Sequence, residues 1–227
     1  MFWPDMYYFI LVVPTFLFSI WAQTKVQSTF SKYSKISSSG RFTGKDTAQR
    51  LLQHNGITDV QVTSVQGNLT DHFDPKKKVI GLSEAVFNKT SIAAIGVAAH
   101  ETGHAIQHET GYGPLQLRSS VYPVARIGSS FGPWLAIIGL FMGRPSLFNI
   151  GIVLFAAAVL FYLITLPVEF NASKRALVVL DEYGMLNDEE LKGAKKVLSA
   201  AAMTYVASAL VAVANLLRLI LLSRRRS

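Results

Sequence analysis

The chain of 227 residues contains no cysteine, and that absence removes two classes of structure at once. A disulfide framework cannot form and no thiolate can hold a metal, so histidine and carboxylate are left as the strong zinc ligands. Charge is sparse as well: 16% of residues are Asp, Glu, Lys or Arg, against 50% hydrophobic, and the mean hydropathy is +0.32. This is too apolar for an ordinary soluble domain of the same length, and the apolar residues fall in blocks, the mark of an integral membrane protein in a lipid bilayer. The net charge of +8 raises the question of nucleic acid, but the basic residues are scattered over loops beside apolar runs with no aromatic-basic recognition module. No nucleic-acid partner is expected, and the basic balance suits loops held at an anionic bilayer surface.

Four uncharged runs, 6–24, 127–143, 145–168 and 197–217, approach the length of about 20 residues that spans a hydrocarbon core as a helix. The second is the weakest, with Gly128, Gly132, Pro133 and Gly139, and the alternative for it is a re-entrant segment. Arg144 alone separates it from the third, so the two form a tight hairpin in which the glycines permit close packing. The first run has no basic segment before it, and Trp21-Ala22-Gln23 is a poor cleavage site, so it reads as a retained anchor. The expected organisation is an anchor (1–24), a polar catalytic region (25–126), a transmembrane hairpin (127–168), a helix leaving the membrane (169–196), and an apolar helix with a basic tail (197–227).

Within the polar region the Ser- and Lys-rich stretch 29–44 has no apolar period and is expected to be flexible. Thr43-Gly44-Lys45-Asp46 caps a short helix on which Ala48, Leu51 and Leu52 share a face, ending at Asn55-Gly56. Residues 60–65 alternate as a strand, 78–82 form a second, and 71–76 between them carry turn chemistry. Lys76-Lys77-Lys78 reads as a solvated turn.

The decisive pattern is His100-Glu101-Thr102-Gly103-His104, preceded by the apolar, proline-free stretch 92–99. Histidines at i and i+4 of a helix stand one turn apart on one face, so both imidazoles can reach one zinc while Glu101 points toward the water it activates. A catalytic zinc needs a third protein ligand and an open fourth position. His108 lies about 12 Å along the helix from His100, at about 1.5 Å per residue, and cannot share the ion. Gln107 and Thr110 occupy the positions where a metzincin would have Gly and His. His54 reads as a solvated residue. The favoured ligand is Glu169, which follows Leu166-Pro167-Val168 at the end of the third run, on the side of the membrane to which the hairpin returns. Asp181 and Glu182 are the competitors.

Four segments carry a resemblance: Thr43-Gly44, the stretch 68–75 (Asn-Leu-Thr-Asp-His-Phe-Asp-Pro), the stretch 97–107 around the histidines, and Pro167-Val168-Glu169-Phe170-Asn171-Ala172-Ser173. In this order the chain resembles the YugP-type membrane zinc metallopeptidases of bacteria, from about Thr43 to the basic tail, and more distantly the layout is similar to the HtpX and CAAX-prenyl membrane proteases. The resemblance implies a predominantly α-helical integral membrane protein with four transmembrane helices and a small α+β, zincin-like catalytic region on one side of the bilayer. It implies one zinc per chain, Glu169 as third ligand, and a multi-pass protein of the bacterial inner membrane. Where the distant relatives have Asp in an E-x-x-x-D pattern this chain has Ser173, so a ligand histidine would be oriented by a neutral hydrogen bond from Asn171 or Ser173.

The expected activity is zinc-dependent endopeptidase action on peptide or membrane-protein substrates, with Glu101 as general base. His72, Arg175 and Tyr183 are the candidate oxyanion stabilisers. An inert zinc-binding scaffold would keep the same ligands without needing Glu101, and a transporter would need more ionisable residues in the spans than Arg218. Lys25, Lys32, Lys35 and Arg41 follow the first run while only Asp5 precedes it, which places the polar region and the site in the cytoplasm. A full fourth crossing then puts Arg224, Arg225 and Arg226 outside, against the same rule, so either the last helix lies partly in the interface or turns back, or the whole orientation is inverted.

Overall fold

The computed structural model describes residues 5–224. Residues 1–4 of the anchor, and Arg225 and Arg226 of the basic tail, lie outside the described residues. A π-helical turn (Tyr8–Val12) leads into α1 (Val13–Tyr33), followed by α2 (Gly44–His54), β1 (Gln61–Val65), β2 (His72–Asp74), β3 (Val79–Ser83), α3 (Ile92–Glu109), α4 (Gly113–Phe141), α5 (Pro145–Glu182) and α6 (Asp188–Arg224). Among the described residues four helices are long and apolar enough to cross a membrane: Tyr8–Tyr33, α4, α5 and α6. The protein is thus mostly helical, with four long apolar helices and a small three-stranded sheet, as expected. The chain divides into two compact units, residues 1–23, 113–167 and 203–227 in one and residues 24–112 and 168–202 in the other.

The first unit holds the most apolar chain. The weakest run is a continuous helix rather than a re-entrant segment, and α4 begins earlier than that run, at Gly113, passing through Pro123 and Pro133. The turn into α5 uses Gly143 at φ +61°, a left-handed conformation that costs glycine no Cβ clash. The expected hairpin packs through small residues. A Cβ on Gly128 would meet the carbonyl oxygen of Leu154, one on Gly132 would lie 2.7 Å from the Phe155 amide nitrogen, and one on Gly139 would meet the Phe148 amide nitrogen. Backbone here takes the place of side chain, which in a lipid environment is how helices gain dispersion contact without a hydrophobic driving force. The large side chains point outward, with Phe131 61%, Trp134 63% and Val153 69% exposed, an arrangement that water would oppose and hydrocarbon solvates. Helix α6 is unbroken and does not turn back, and Arg218 near its end donates to Asp5 Oδ2 from Nε at 2.9 Å and from Nη2 at 2.6 Å. The guanidinium also lies 5.2 Å from the centre of the Tyr8 ring.

In the second unit Thr43 caps α2 as expected: its hydroxyl oxygen accepts from the Asp46 amide at 3.1 Å, while Asp46 Oδ2 accepts from the Thr43 amide at 3.0 Å. Ala48, Leu51 and Leu52 are buried. The stretch before α2 is not the flexible linker its composition suggests. Helix α1 continues to Tyr33, the Ser38 amide donates to Thr90 O at 2.9 Å, and the Ile92 amide donates to Ile36 O at 2.9 Å, so backbone pairing fastens it beside the start of α3.

The sheet order is β1-β3-β2, with β1 parallel to β3 (Val62↔Ile80) and β2 antiparallel to it (Phe73↔Ile80). Two of the three strands follow the sequence reading, but His72–Asp74 is itself a strand, not part of the turn. The turn is one step later because Asp74 Oδ1 accepts from the amides of Lys76 (2.9 Å) and Lys77 (3.1 Å), and Lys78 adopts φ +53°. Phe73 then packs toward the core formed by Leu51, Ile80, Leu82 and Ile95, while His72 on the opposite side of the strand is exposed.

The packing of α4 on α5 predicts that Gly128→Val lowers the thermal unfolding midpoint in detergent, at a cost of about 1–3 kcal/mol for overpacking. Gly113→Ala, with nothing within 4 Å of the added Cβ, is expected to leave the midpoint unchanged. Equal midpoints for both variants would contradict backbone-to-backbone contact at Gly128.

Candidate metal centre

Helix α3 forms because Ala93, Ala94, Ala98 and Ala99 suit a buried helix, and because Ser91 Oγ accepts from the Ala94 amide at 3.2 Å to cap its start. The helix places His100 and His104 on one face. What brings a third element onto that face is Gly103: a Cβ there would lie 2.6 Å from the carbonyl oxygen of Ala172, so the backbone of α5 occupies the space. Glu169 and Ser173, on either side of Ala172 in α5, are thereby held against the histidines.

The resulting geometry is convergent. His100 Nε2 lies 3.3 Å and His104 Nε2 3.5 Å from the same atom, Glu169 Oε2, and the two rings stand 4.7 Å apart at 81°. One ligand atom from each of the three residues lies within 4.8 Å of the others. In a tetrahedral site with Zn–N and Zn–O bonds of about 2.0–2.2 Å, neighbouring ligand atoms are separated by about 1.6 bond lengths, roughly 3.3–3.6 Å. The two nitrogen-to-oxygen distances fall in that range, and the donor set of two imidazoles and one carboxylate is one that zinc accepts. Glu169 is buried, with a side-chain exposure of 3%, whereas the histidine side chains keep 14% and 12%. Access is therefore from the imidazole side.

The outer nitrogens are also engaged. Ser173 Oγ lies 3.1 Å from His100 Nδ1, and Gln107 Oε1 lies 3.0 Å from His104 Nδ1. Of the two neutral partners foreseen from the sequence, Ser173 contacts a histidine directly, and Asn171 reaches the other through Gln107, whose Nε2 donates to Asn171 Oδ1 at 3.0 Å. Glu101 is buried beside the pair. Burial pushes its carboxyl above the usual carboxylate range, the charges of His100 and His104 pull it down, and the neighbouring Glu169 and Asp71 add to the rise.

The remaining candidates are elsewhere. Asp181 and Glu182 are exposed at the far end of α5, about 18 Å from Glu169 at about 1.5 Å of rise per residue. His108 is exposed and meets the Phe73 ring at 5.9 Å. His72 lies against Gly81 on the outer face of the sheet, and Tyr183 stacks on His54 at 4.1 Å. Tyr183, just past the end of α5 and about 21 Å along the helix from Glu169 at about 1.5 Å per residue, is not placed for an oxyanion. Arg175 donates from Nε to Asn171 Oδ1 at 2.8 Å and sits 5.8 Å from the Tyr112 ring centre. Two residues near the centre escaped the sequence reading. Gln107 was visible only as a departure from the metzincin pattern, although its i+3 spacing from His104 was a signal. Asp71, within the second resembling segment, accepts from the Ser83 amide at 2.7 Å and from its hydroxyl at 3.0 Å. It ties the start of β2 to the end of β3.

A helix that offers H-E-x-x-H to a carboxylate from a neighbouring helix, in a chain with four long apolar helices, defines a membrane metallopeptidase class, and comparison with known proteins agrees. The chain belongs to the neutral zinc metallopeptidase family, described as "Putative neutral zinc metallopeptidase", which it matches over residues 8–224. It is 49% identical over 217 residues, 96% of each chain, to "Putative membrane protease YugP" of Bacillus subtilis (strain 168). No solved structure matches it.

If the three groups form one metal centre, His100→Ala, His104→Ala and Glu169→Ala each lower the zinc content of purified protein, measured by elemental analysis, while Asp181→Asn and Glu182→Gln leave it at the wild-type level. Full zinc in Glu169→Ala would remove that residue from the ligand set.

Proposed function

We propose that the protein is a membrane-embedded, zinc-dependent endopeptidase that hydrolyses peptide bonds in membrane or misfolded proteins, holding one zinc through His100, His104 and Glu169. The observation that carries this reading is the meeting of both Nε2 atoms at Glu169 Oε2, with a further buried carboxylate, Glu101, beside them. Zinc bound there supplies Lewis acidity, polarising a peptide carbonyl and bringing the pKa of water in the open position toward neutrality. The residues do the rest. His100 and His104 present their Nε2 lone pairs, with Ser173 and Gln107 engaging the opposite nitrogens. Glu101 takes the proton from the attacking water and delivers it to the departing amine nitrogen, a task for which a carboxyl raised above its ordinary range is better matched to neutral pH than an exposed one. Glu169 would set one negative charge against the divalent ion, and with both histidines neutral the site keeps a net positive charge that favours an anionic oxygen in the open position.

Glu101→Gln separates hydrolysis from metal binding, because the amide keeps the shape but cannot accept the proton. Zinc content is expected to stay at the wild-type level while cleavage of an unfolded membrane-protein substrate falls by at least about 100-fold, the scale of general-base catalysis. Unchanged cleavage would remove Glu101 as the base, and wild-type protein that holds zinc without cleaving any such substrate would favour the inert scaffold.

The site is placed in the cytoplasm by the basic residues that follow the first span. Because the chain has no cysteine, single cysteines report this cleanly. The exposed turn residue Lys76 and the exposed Ser146 in the first turn of α5 are suitable positions. In intact cells an impermeant thiol reagent is expected to label Ser146→Cys and spare Lys76→Cys; the reverse pattern inverts the orientation.

A further inference from the structure

Gln107 is 0% exposed, so each of its polar atoms must find its partner within the protein. Its Nε2 donates to the Val168 carbonyl at 2.8 Å and to Asn171 Oδ1 at 3.0 Å, and its Oε1 lies 3.0 Å from His104 Nδ1. An amide can be turned over in principle, but both ends of this chain are fixed by chemistry. A backbone carbonyl can only accept, so the Gln107 nitrogen must face Val168. At the other end a guanidinium can only donate, so the atom of Asn171 that meets Arg175 Nε at 2.8 Å must be its oxygen. That oxygen in turn requires a donor from Gln107. Both constraints orient the amide the same way, and the Gln107 oxygen is left facing His104 as an acceptor.

From this we infer that Gln107 is a positioning residue for the metal centre: a hydrogen-bond chain of fixed polarity, anchored by the Val168 carbonyl and the Arg175 guanidinium, makes it accept the Nδ1 proton of His104 and so reserves the His104 Nε2 lone pair for zinc. The inference rests on the metal site proposed above and adds the device that selects its tautomer. It also explains why a neutral amide stands where a carboxylate often orients a ligand histidine. The position needs an acceptor toward His104 and donors toward two oxygens at once. A carboxylate supplies only the first and would face the Val168 carbonyl and Asn171 Oδ1 with no proton to give. Asn171 has the opposite requirement, since the atom it uses accepts from both neighbours.

The same chemical change, amide to carboxylate, therefore has opposite outcomes at the two positions: it is harmful at 107 and harmless at 171. Zinc affinity of the full chain in detergent, measured by competition with a chromophoric chelator, is expected to fall about 10- to 100-fold in Gln107→Glu and to stay within about threefold of wild type in Asn171→Asp, where both accepted bonds survive. Wild-type affinity in Gln107→Glu, or an equal loss in Asn171→Asp, overturns the inference. Should Gln107→Glu fail to elute as a folded species, the wild-type protein loaded with cadmium-113 and labelled with nitrogen-15 decides: metal coupling to His104 Nε2 with a slowly exchanging Nδ1 proton supports the chain, and coupling to Nδ1 overturns it. Wild-type protein that binds no zinc would strike the metal site itself, whereas normal wild-type binding with an unaffected Gln107→Glu strikes this inference alone.

Discussion

The centre depends on one close approach: the backbone of α5 at Ala172 lies where a side chain on α3 at position 103 would be. Any residue larger than glycine there would press its Cβ on a carbonyl that cannot give way, and the helices would have to separate. Every contact of the centre between α3 and α5 is short because of that approach, including both histidine contacts to Glu169, the Ser173 contact to His100 and the bond from Gln107 to Val168. A separation of even an ångström would take all of them beyond hydrogen-bond or coordination range.

Burial makes the same contacts exacting. Glu101, Glu169 and Gln107 all lie below one-tenth exposure, so polar atoms that lose their partners cannot turn to water. The polar groups are accordingly arranged in complementary sets, acceptors against donors, with a neutral amide and a hydroxyl on the outer nitrogens of the histidines. Asp71 and Ser83 make a similar closed pair at the sheet. A buried network of this kind stabilises one arrangement and penalises its neighbours, which favours the fixed ligand geometry that a metal site requires.

Each compact unit solves a different solvation problem with the same helices. In the first, apolar side chains face outward and glycines inward, the pattern for a bilayer. In the second, alanine, leucine, isoleucine and valine fill a core beneath the sheet, including Ile80, Leu82, Ile95 and Leu180, the pattern for water. Helices α5 and α6 contribute residues to both, so the sequence of each changes character along a single unbroken helix: Glu169 comes directly after the apolar run that ends at Val168.

Whatever depends on local spacing or on bulk polarity was already legible along the chain. Four apolar runs implied four long helices, the i, i+4 histidines implied a shared face, and Thr43 with Asp46 implied a helix start, because each is a statement about neighbours along the chain. Glu169 was legible for a related reason, since the hairpin before it limits where the chain returns. Tertiary structure decided the rest. Composition suggested a loose linker before α2, but pairing with residues far along the chain fastens it, and no local pattern encodes such a partner. His72–Asp74 looked like a turn until β3 supplied the edge that makes it a strand. Gln107 carried no motif, because its role exists only once Val168, Asn171 and Arg175, more than sixty positions later, are packed against it. The polarity of a hydrogen-bond chain depends on which atoms meet in space, and distance along the sequence contains no record of that.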